Sequence, residues 1–174
     1  YDVVNGYSFD ELVRIFRDYG ELKNASGIAN KIINARNLGE ITSAKELANI
    51  IGTAQIKGRG VSPAILAFQA IRIEVNGELD ELTNLLDSIE KGGFKDCLVA
   101  IITFHSLEDR IVKEHFKKWA NSCICPPGIY RCECGNNHEL GEILTKKPLT
   151  ASQSELAQNS RSKSAKLRVF KIKG

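Results

Sequence analysis

Three stretches of this sequence hold residues that could do chemistry. In the first, His105, Ser106, Glu108, Asp109 and Arg110 fall within six consecutive residues. An imidazole exchanges protons near neutral pH, and the first turn of a helix offers backbone N–H groups to an anion or a polarised carbonyl. Ser106 lacks the Gly-x-Ser-x-Gly elbow that exposes a hydrolase nucleophile, so acyl transfer is not indicated. A plainer account competes. Ser106 and Asp109 would cap a helix, Arg110 would pair with Glu114 one turn on, and His105 would be a packed, hydrogen-bonded residue.

The second stretch is Cys123-x-Cys125-x6-Cys132-x-Cys134, with His138 nearby. Four thiolates can hold a tetrahedral zinc ion, and Pro126, Pro127, Gly128 and Gly135 would let the chain turn around it. Cys-x-Cys is tighter than the usual Cys-x2-Cys spacing, and the alternative is a mobile loop of reduced thiols in an intracellular, disulfide-poor setting. Cys97 reads as a small core residue. In the third stretch, Asn159 to Arg168, short hydroxyls alternate with Arg161, Lys163, Lys166 and Arg168. That composition suits phosphate contacts, which position a nucleic acid without reading its bases; a flexible connector would look the same.

These residues need elements to hold them. Cys97 to Phe104 is an apolar, β-branched run, which predicts a parallel strand buried under helices on both faces. Leu107, Ile111, Val112 and Phe116 share one side of a helix beginning at Ser106. Strand, polar turn and helix in that order place His105 at a strand's carboxyl end, where open α/β sheets bind ligands.

Upstream, Ser8 with Glu11 opens a helix carrying Phe9, Leu12, Val13, Phe16 and Tyr19. A second runs from about Ala25 to Arg36, and a third starts at Ser43 and Glu46. Gly52 to Gly60 reads as a loop. Ser62-Pro63 would start a helix lined by Ile65, Phe68, Ile71 and Val75. Another would carry Leu79, Leu82, Leu85, Leu86 and Ile89 and stop at Gly92-Gly93. After Trp119 no period returns until Leu167 to Lys173, which reads as a final strand.

Residues 145–174 hold eight Lys and Arg against one acid, a net +7, while the rest of the chain is at −4. A basic tail on a mildly acidic body favours a polyanionic partner. No apolar run approaches the roughly 20 residues that span a bilayer, so a soluble, cytoplasmic protein without membrane contact is expected. The start at Tyr1 and the absence of Met predict a piece of a longer chain.

Four segments in order resemble the bacterial MraW/RsmH family. They are F-Q-A-I-R-I-E-V-N-x-E-L at 68–79, F-H-S-L-E-D-R-I-V-K at 104–113, K-K-P-L-T at 146–150 and S-R-S-K-S-A-K-L-R-V at 160–169. Tyr7 to Arg36 is similar to that family's helical insertion. The resemblance implies an S-adenosylmethionine-dependent methyltransferase acting on the N4 amine of a cytosine in small-subunit ribosomal RNA.

It implies an α/β fold, the C-terminal part of a Rossmann-like sheet with an all-helical insertion domain. The insertion would occupy 1–62. The methyltransferase part would occupy 63–174, with a Cys-rich loop at 121–145. No cofactor-binding residue is assigned in this chain, because the glycine-rich donor loop of the family has no counterpart here. At Ser62 to Ala67 the chain reads Ser-Pro-Ala-Ile-Leu-Ala, where members often read His-Pro-Ala-Thr-Arg-Thr. No role for that His or Arg carries over.

On this reading His105, Ser106 and Asp109 are candidate catalytic residues. Arg110, Arg161, Lys163, Lys166 and Arg168 are candidate RNA contacts, and Cys123, Cys125, Cys132 and Cys134 candidate zinc ligands. A homodimer is compatible with the sequence. The competing expectations are a non-catalytic RNA-binding module and a zinc-stabilised interaction domain.

Overall fold

The computed structural model describes residues 1–174 apart from Arg59, Pro127, Ile129 and Tyr130. The chain opens with α1 (Asp2–Gly6), too short to show a period in the sequence, followed by α2 (Phe9–Asp18), α3 (Ala25–Arg36), α4 (Ala44–Ile51) and α5 (Pro63–Asn76). Their starts lie where the caps predict. The Ser8 hydroxyl accepts from the Glu11 N–H at 3.3 Å while the Glu11 carboxylate accepts from the Ser8 N–H at 2.7 Å. Ser43 and Ser62 cap α4 and α5 by accepting from the N–H groups of Glu46 and Ile65. Two orphan donors of α2 and one each of α4 and α5 are thus satisfied before any tertiary contact forms.

Leu12, Ile15, Phe16, Ile28, Ile32, Leu47 and Ile51 form the core of this helical unit. The apolar side of α5 differs from expectation. Ile65 and Val75 are exposed, and the buried face is Ala64, Ala67, Ala70 and Ile73. Small side chains let the backbones approach closely, as at Gly20, where a Cβ would sit 2.7 Å from the Phe16 carbonyl oxygen and 3.2 Å from that of Leu66. Glu74 on α5 ties back to α2: it accepts from Arg14 at 2.7 Å and from the Tyr7 hydroxyl at 3.0 Å.

Two compact units result, Tyr1–Glu78 and Leu79–Gly174. The alanine face of α5 completes the helical core, so α5 belongs to the first unit.

The second unit contains α6 (Glu78–Lys91) from Leu79 onward, β1 (Cys97–Thr103), α7 (Ser106–Trp119), β2 (Gly141–Ile143), β3 (Leu149–Thr150), α8 (Gln153–Gln158), a 3-10 turn at Ser160–Ser164 and β4 (Lys166–Ile172). β2, β3, α8 and the 3-10 turn fall in the stretch where the sequence shows no period; each is six residues or shorter. The sheet runs β1-β4-β2, with β3 also on β4, and every pairing is antiparallel.

Among the described residues the strand expected at 97–104 to be parallel and covered on both faces pairs antiparallel and is covered on one face only. β1 pairs with β4 from Cys97↔Ile172 to Thr103↔Lys166. Only its Cys97, Val99 and Ile101 face turns toward a core, while Leu98, Ala100, Ile102 and the following Phe104 are exposed. A uniformly apolar run cannot reveal which face is covered, since period 2 is invisible when every residue is apolar.

The inward face packs on α7 through Val112, Phe116, Trp119, Phe170 and Ile172, with Leu86 of α6. Phe116, Trp119 and Phe170 form a triangle with centroids 5.3–5.4 Å apart, a tilted and edge-on arrangement that suits aromatic quadrupoles. The Trp119 indole N–H donates to Glu90 at 3.0 Å. No described helix is long and apolar enough to cross a membrane.

Candidate functional site

β1 ends at Thr103, and the register sets Thr103 opposite Lys166, so the carboxyl end of β1 and the amino end of β4 form one end of the sheet. His105, and not Ser106, is the N-cap of α7. Its Nδ1 accepts from the Glu108 N–H at 3.3 Å, and the Glu108 carboxylate accepts in return from the N–H groups of Phe104 at 2.8 Å and His105 at 3.2 Å. The expected Ser106–Asp109 box is thus one residue out of register: the residues that close it are His105 and Glu108. An imidazole nitrogen substitutes for the usual hydroxyl, a signal legible in the His-x-x-Glu spacing.

With Nδ1 accepting, the neutral imidazole carries its proton on Nε2, which lies 3.4 Å from Glu108 Oε1; this tautomer is inferred from the hydrogen bonds. Ser106 is the first residue of α7 and is exposed, as is Arg110.

Asp109 turns the other way. Its two carboxylate oxygens accept from Arg168 Nε at 2.7 Å and Nη2 at 3.2 Å, and Lys166 Nζ stands 3.5 Å away. The Arg168 hydrogen bonds hold the Asp109 carboxyl below the usual carboxylate range against the opposing effect of burial. A carboxylate engaged at both oxygens by a guanidinium is a poor proton acceptor. Asp109 ties α7 to β4 in this geometry. Arg168, expected as a phosphate contact, is only 6% exposed and turns its Nε and Nη2 to Asp109. No spacing rule could pair these two, as they are 59 residues apart.

The remaining basic candidates separate. Arg161 and Lys163 are exposed on the 3-10 turn, which Asn159 caps by accepting from the Arg161 N–H at 3.1 Å. Lys166 is half-buried beside Asp109. Because the turn leads directly into β4, the structure gathers His105, Ser106, Asp109, Lys166, Arg161 and Lys163 at one end of the sheet.

The thiol stretch lies at the other end. α7 runs back along the sheet to Trp119, and the chain re-enters at Gly141, opposite Ile172. Between them Cys123, Cys125, Cys132 and Cys134 bring their four sulfurs within 4.8 Å of one another. Pro127, cited above as a turn former, lies outside the described residues. Backbone N–H groups of Asn136 and Ile124 draw the Cys134 thiol down to about 6. A backbone N–H of Cys125 lowers the Cys123 thiol, but crowding by the Cys132 and Cys134 thiols outweighs it and pushes Cys123 up to about 11. Like anionic groups this close cannot all ionise without a countercharge.

A sequence model of the MraW methylase family matches residues 1–173. The chain belongs to that family. It is 98% identical over all 174 residues to a protein of Campylobacter concisus named ribosomal RNA small subunit methyltransferase H, covering 57% of that protein's length. Proteins of the same name from Campylobacter curvus and Campylobacter jejuni are 65% and 55% identical over 99% and 98% of the chain, again covering 56% and 55% of their lengths. This MraW-family chain therefore spans little more than half the length of these relatives.

Proposed function

We propose that this chain is the C-terminal part of an enzyme that transfers a methyl group from S-adenosylmethionine to the N4 amine of a cytosine in small-subunit ribosomal RNA, in the cytoplasm. The family match across residues 1–173 carries the reading. The names of its relatives support the substrate class.

The described residues do not fit the donor. At the β1–α7 junction His105 bonds Glu108 and Asp109 bonds Arg168, so these side chains are engaged within the protein and not turned to an adenosyl group. β1 lies at the edge of the sheet with Leu98, Ala100 and Ile102 exposed. A long apolar edge strand calls for a neighbour. We assign that neighbour, as a parallel strand completing a Rossmann-like sheet, to polypeptide that the longer relatives carry. The helical unit is the substrate-recognition insertion.

A cytosine must leave its stack to present N4 to a methyl donor, and the amine sheds a proton as the N–C bond forms. Ser106, at the exposed start of α7, is the group placed to contact the flipped base. His105 and Asp109 hold that turn in place, the first by capping α7 and the second by tying it to β4. Arg110, Arg161 and Lys163 contact phosphates on the same side.

The test is transfer of labelled methyl from S-adenosylmethionine to unmodified small ribosomal subunits by the full-length protein. Label on a single cytosine N4 is expected; no transfer, or label on another base or on protein, overturns the reading. His105→Ala should lower kcat sharply in a folded protein. Unchanged kcat would reduce His105 to a packing residue.

A further inference from the structure

We propose that Cys123, Cys125, Cys132 and Cys134 form a closed, structural zinc site that staples the segment between α7 and β2. The sulfurs of Cys123 and Cys132 are 3.6 Å apart, those of Cys132 and Cys134 3.5 Å, and those of Cys123 and Cys134 3.8 Å. A tetrahedron of thiolates around zinc, with Zn–S of about 2.3 Å, has edges of about 3.8 Å. Four sulfurs within 4.8 Å of each other therefore already stand close to the separations the ion requires.

The second observation is a crossed pair of backbone hydrogen bonds. The N–H of Ile124, the middle residue of the first Cys-x-Cys, donates to Cys134 Sγ at 3.4 Å, and that of Glu133, the middle residue of the second, donates to Cys125 Sγ at 3.4 Å. Each tight pair thus directs an amide at a sulfur of the other. N–H donors aimed at sulfur stabilise thiolate, the form that binds metal, and they orient it. The short Cys-x-Cys spacing, which as sequence argues against a zinc ribbon, is what lets the middle amides cross.

The outer contacts fix the same loop. His138 Nε2 lies 2.7 Å from the Cys134 carbonyl oxygen, which engages the imidazole away from the sulfurs and leaves an all-sulfur donor set. The Asn121 side-chain amide bonds Cys123 on both its N–H and its carbonyl. The loop then closes onto the sheet, with the Leu140 N–H donating to the Trp119 carbonyl at 2.7 Å and Lys173 donating to the Leu140 carbonyl at 2.9 Å. Four thiolates leave no open coordination position, so the ion has no place in catalysis; it holds the crossover in the conformation that starts β2. Soft sulfur ligands in a tetrahedron select zinc over hard cations. The inference is independent of the methyltransferase reading.

The test uses the full-length protein, purified under reductant and without chelator. Elemental analysis should find about one zinc per chain, and replacement by cobalt should give the visible bands of a tetrahedral four-thiolate complex. Cys132→Ser with Cys134→Ser should abolish both, while Cys97→Ser, which removes a strand residue outside the cluster, should change neither. The cobalt spectrum needs no variant, so it decides even if the double variant fails to fold. Background zinc with no cobalt bands, zinc retained in the double variant, or iron in place of zinc would each overturn the proposal.

Discussion

At the end of the sheet where β1 stops and β4 starts, a carboxylate meets a guanidinium, and an imidazole meets the amide of the helix it caps. At the opposite end four thiols meet chiefly one another and the backbone. Both ends concentrate polar side chains on segments flanking the same helix, α7. The first end contains donor and acceptor together, so its charges are balanced by the chain itself. Among the described residues, the second gathers four thiols with no basic side chain as a hydrogen-bond partner. The difference separates two kinds of crowding: complementary groups neutralise one another and fix the local architecture, whereas like groups held this close favour a neutralising ion.

The largest effect should come from unbalancing the first end. Asp109→Ala leaves Arg168 buried without a counterion and should cost about 3–5 kcal/mol in denaturant unfolding. A loss under about 1 kcal/mol would mean that the pair is not what holds α7 to β4, and the comparison would break. The pH dependence sharpens this point. The folded Asp109 carboxyl titrates below its unfolded value of about 3.9, so its contribution is fully present above that pH and fades as pH falls through the lower folded value. The stability gap between wild type and Asp109→Asn should hold steady at neutral pH and narrow in acid.

Next comes Gly141, where the thiol loop rejoins the sheet. Any Cβ there would run into the Lys171 carbonyl oxygen, so Gly141→Ala should cost about 1–3 kcal/mol. It should also loosen the loop, read as faster proteolysis between residues 121 and 140.

His105→Ala removes a cap and should cost about 1 kcal/mol, comparable to Ser8→Ala at the start of α2. His105→Asn should recover most of that loss, which distinguishes capping from packing. The smallest stability effect, within about 0.5 kcal/mol, is expected for Arg161→Glu with Lys163→Glu on the exposed turn. The same pair should reduce the slope of log RNA affinity against log salt by about two. An unchanged slope would remove the 3-10 turn from the RNA-contacting side.

The helical unit was the more legible half because its signals are local. Ser8, Ser43 and Ser62 cap within three residues, and the bonds they predict are the ones that form. The sheet unit was legible in order but not in geometry. Leu98 to Ile102 gives no alternation from which to read a buried face, and the antiparallel direction of β1 depends on β4, more than 60 residues later. At the junction the residue types pointed to the right turn, yet the cap proved to be His105 with Glu108. Ser106 and Asp109 lost that role once Asp109 found Arg168.

The sequence alone determined where the helices begin, that an apolar strand leads into a polar turn and an amphipathic helix, and that four cysteines are spaced in two tight pairs. Those features rest on interactions within a few residues, which spacing encodes directly. Only the tertiary structure decided which charges are spent on each other, which face of β1 is bare, and that the two cysteine pairs cross amides. Each of these depends on residues brought together by a strand register or a loop closure, and neither is written in any local pattern.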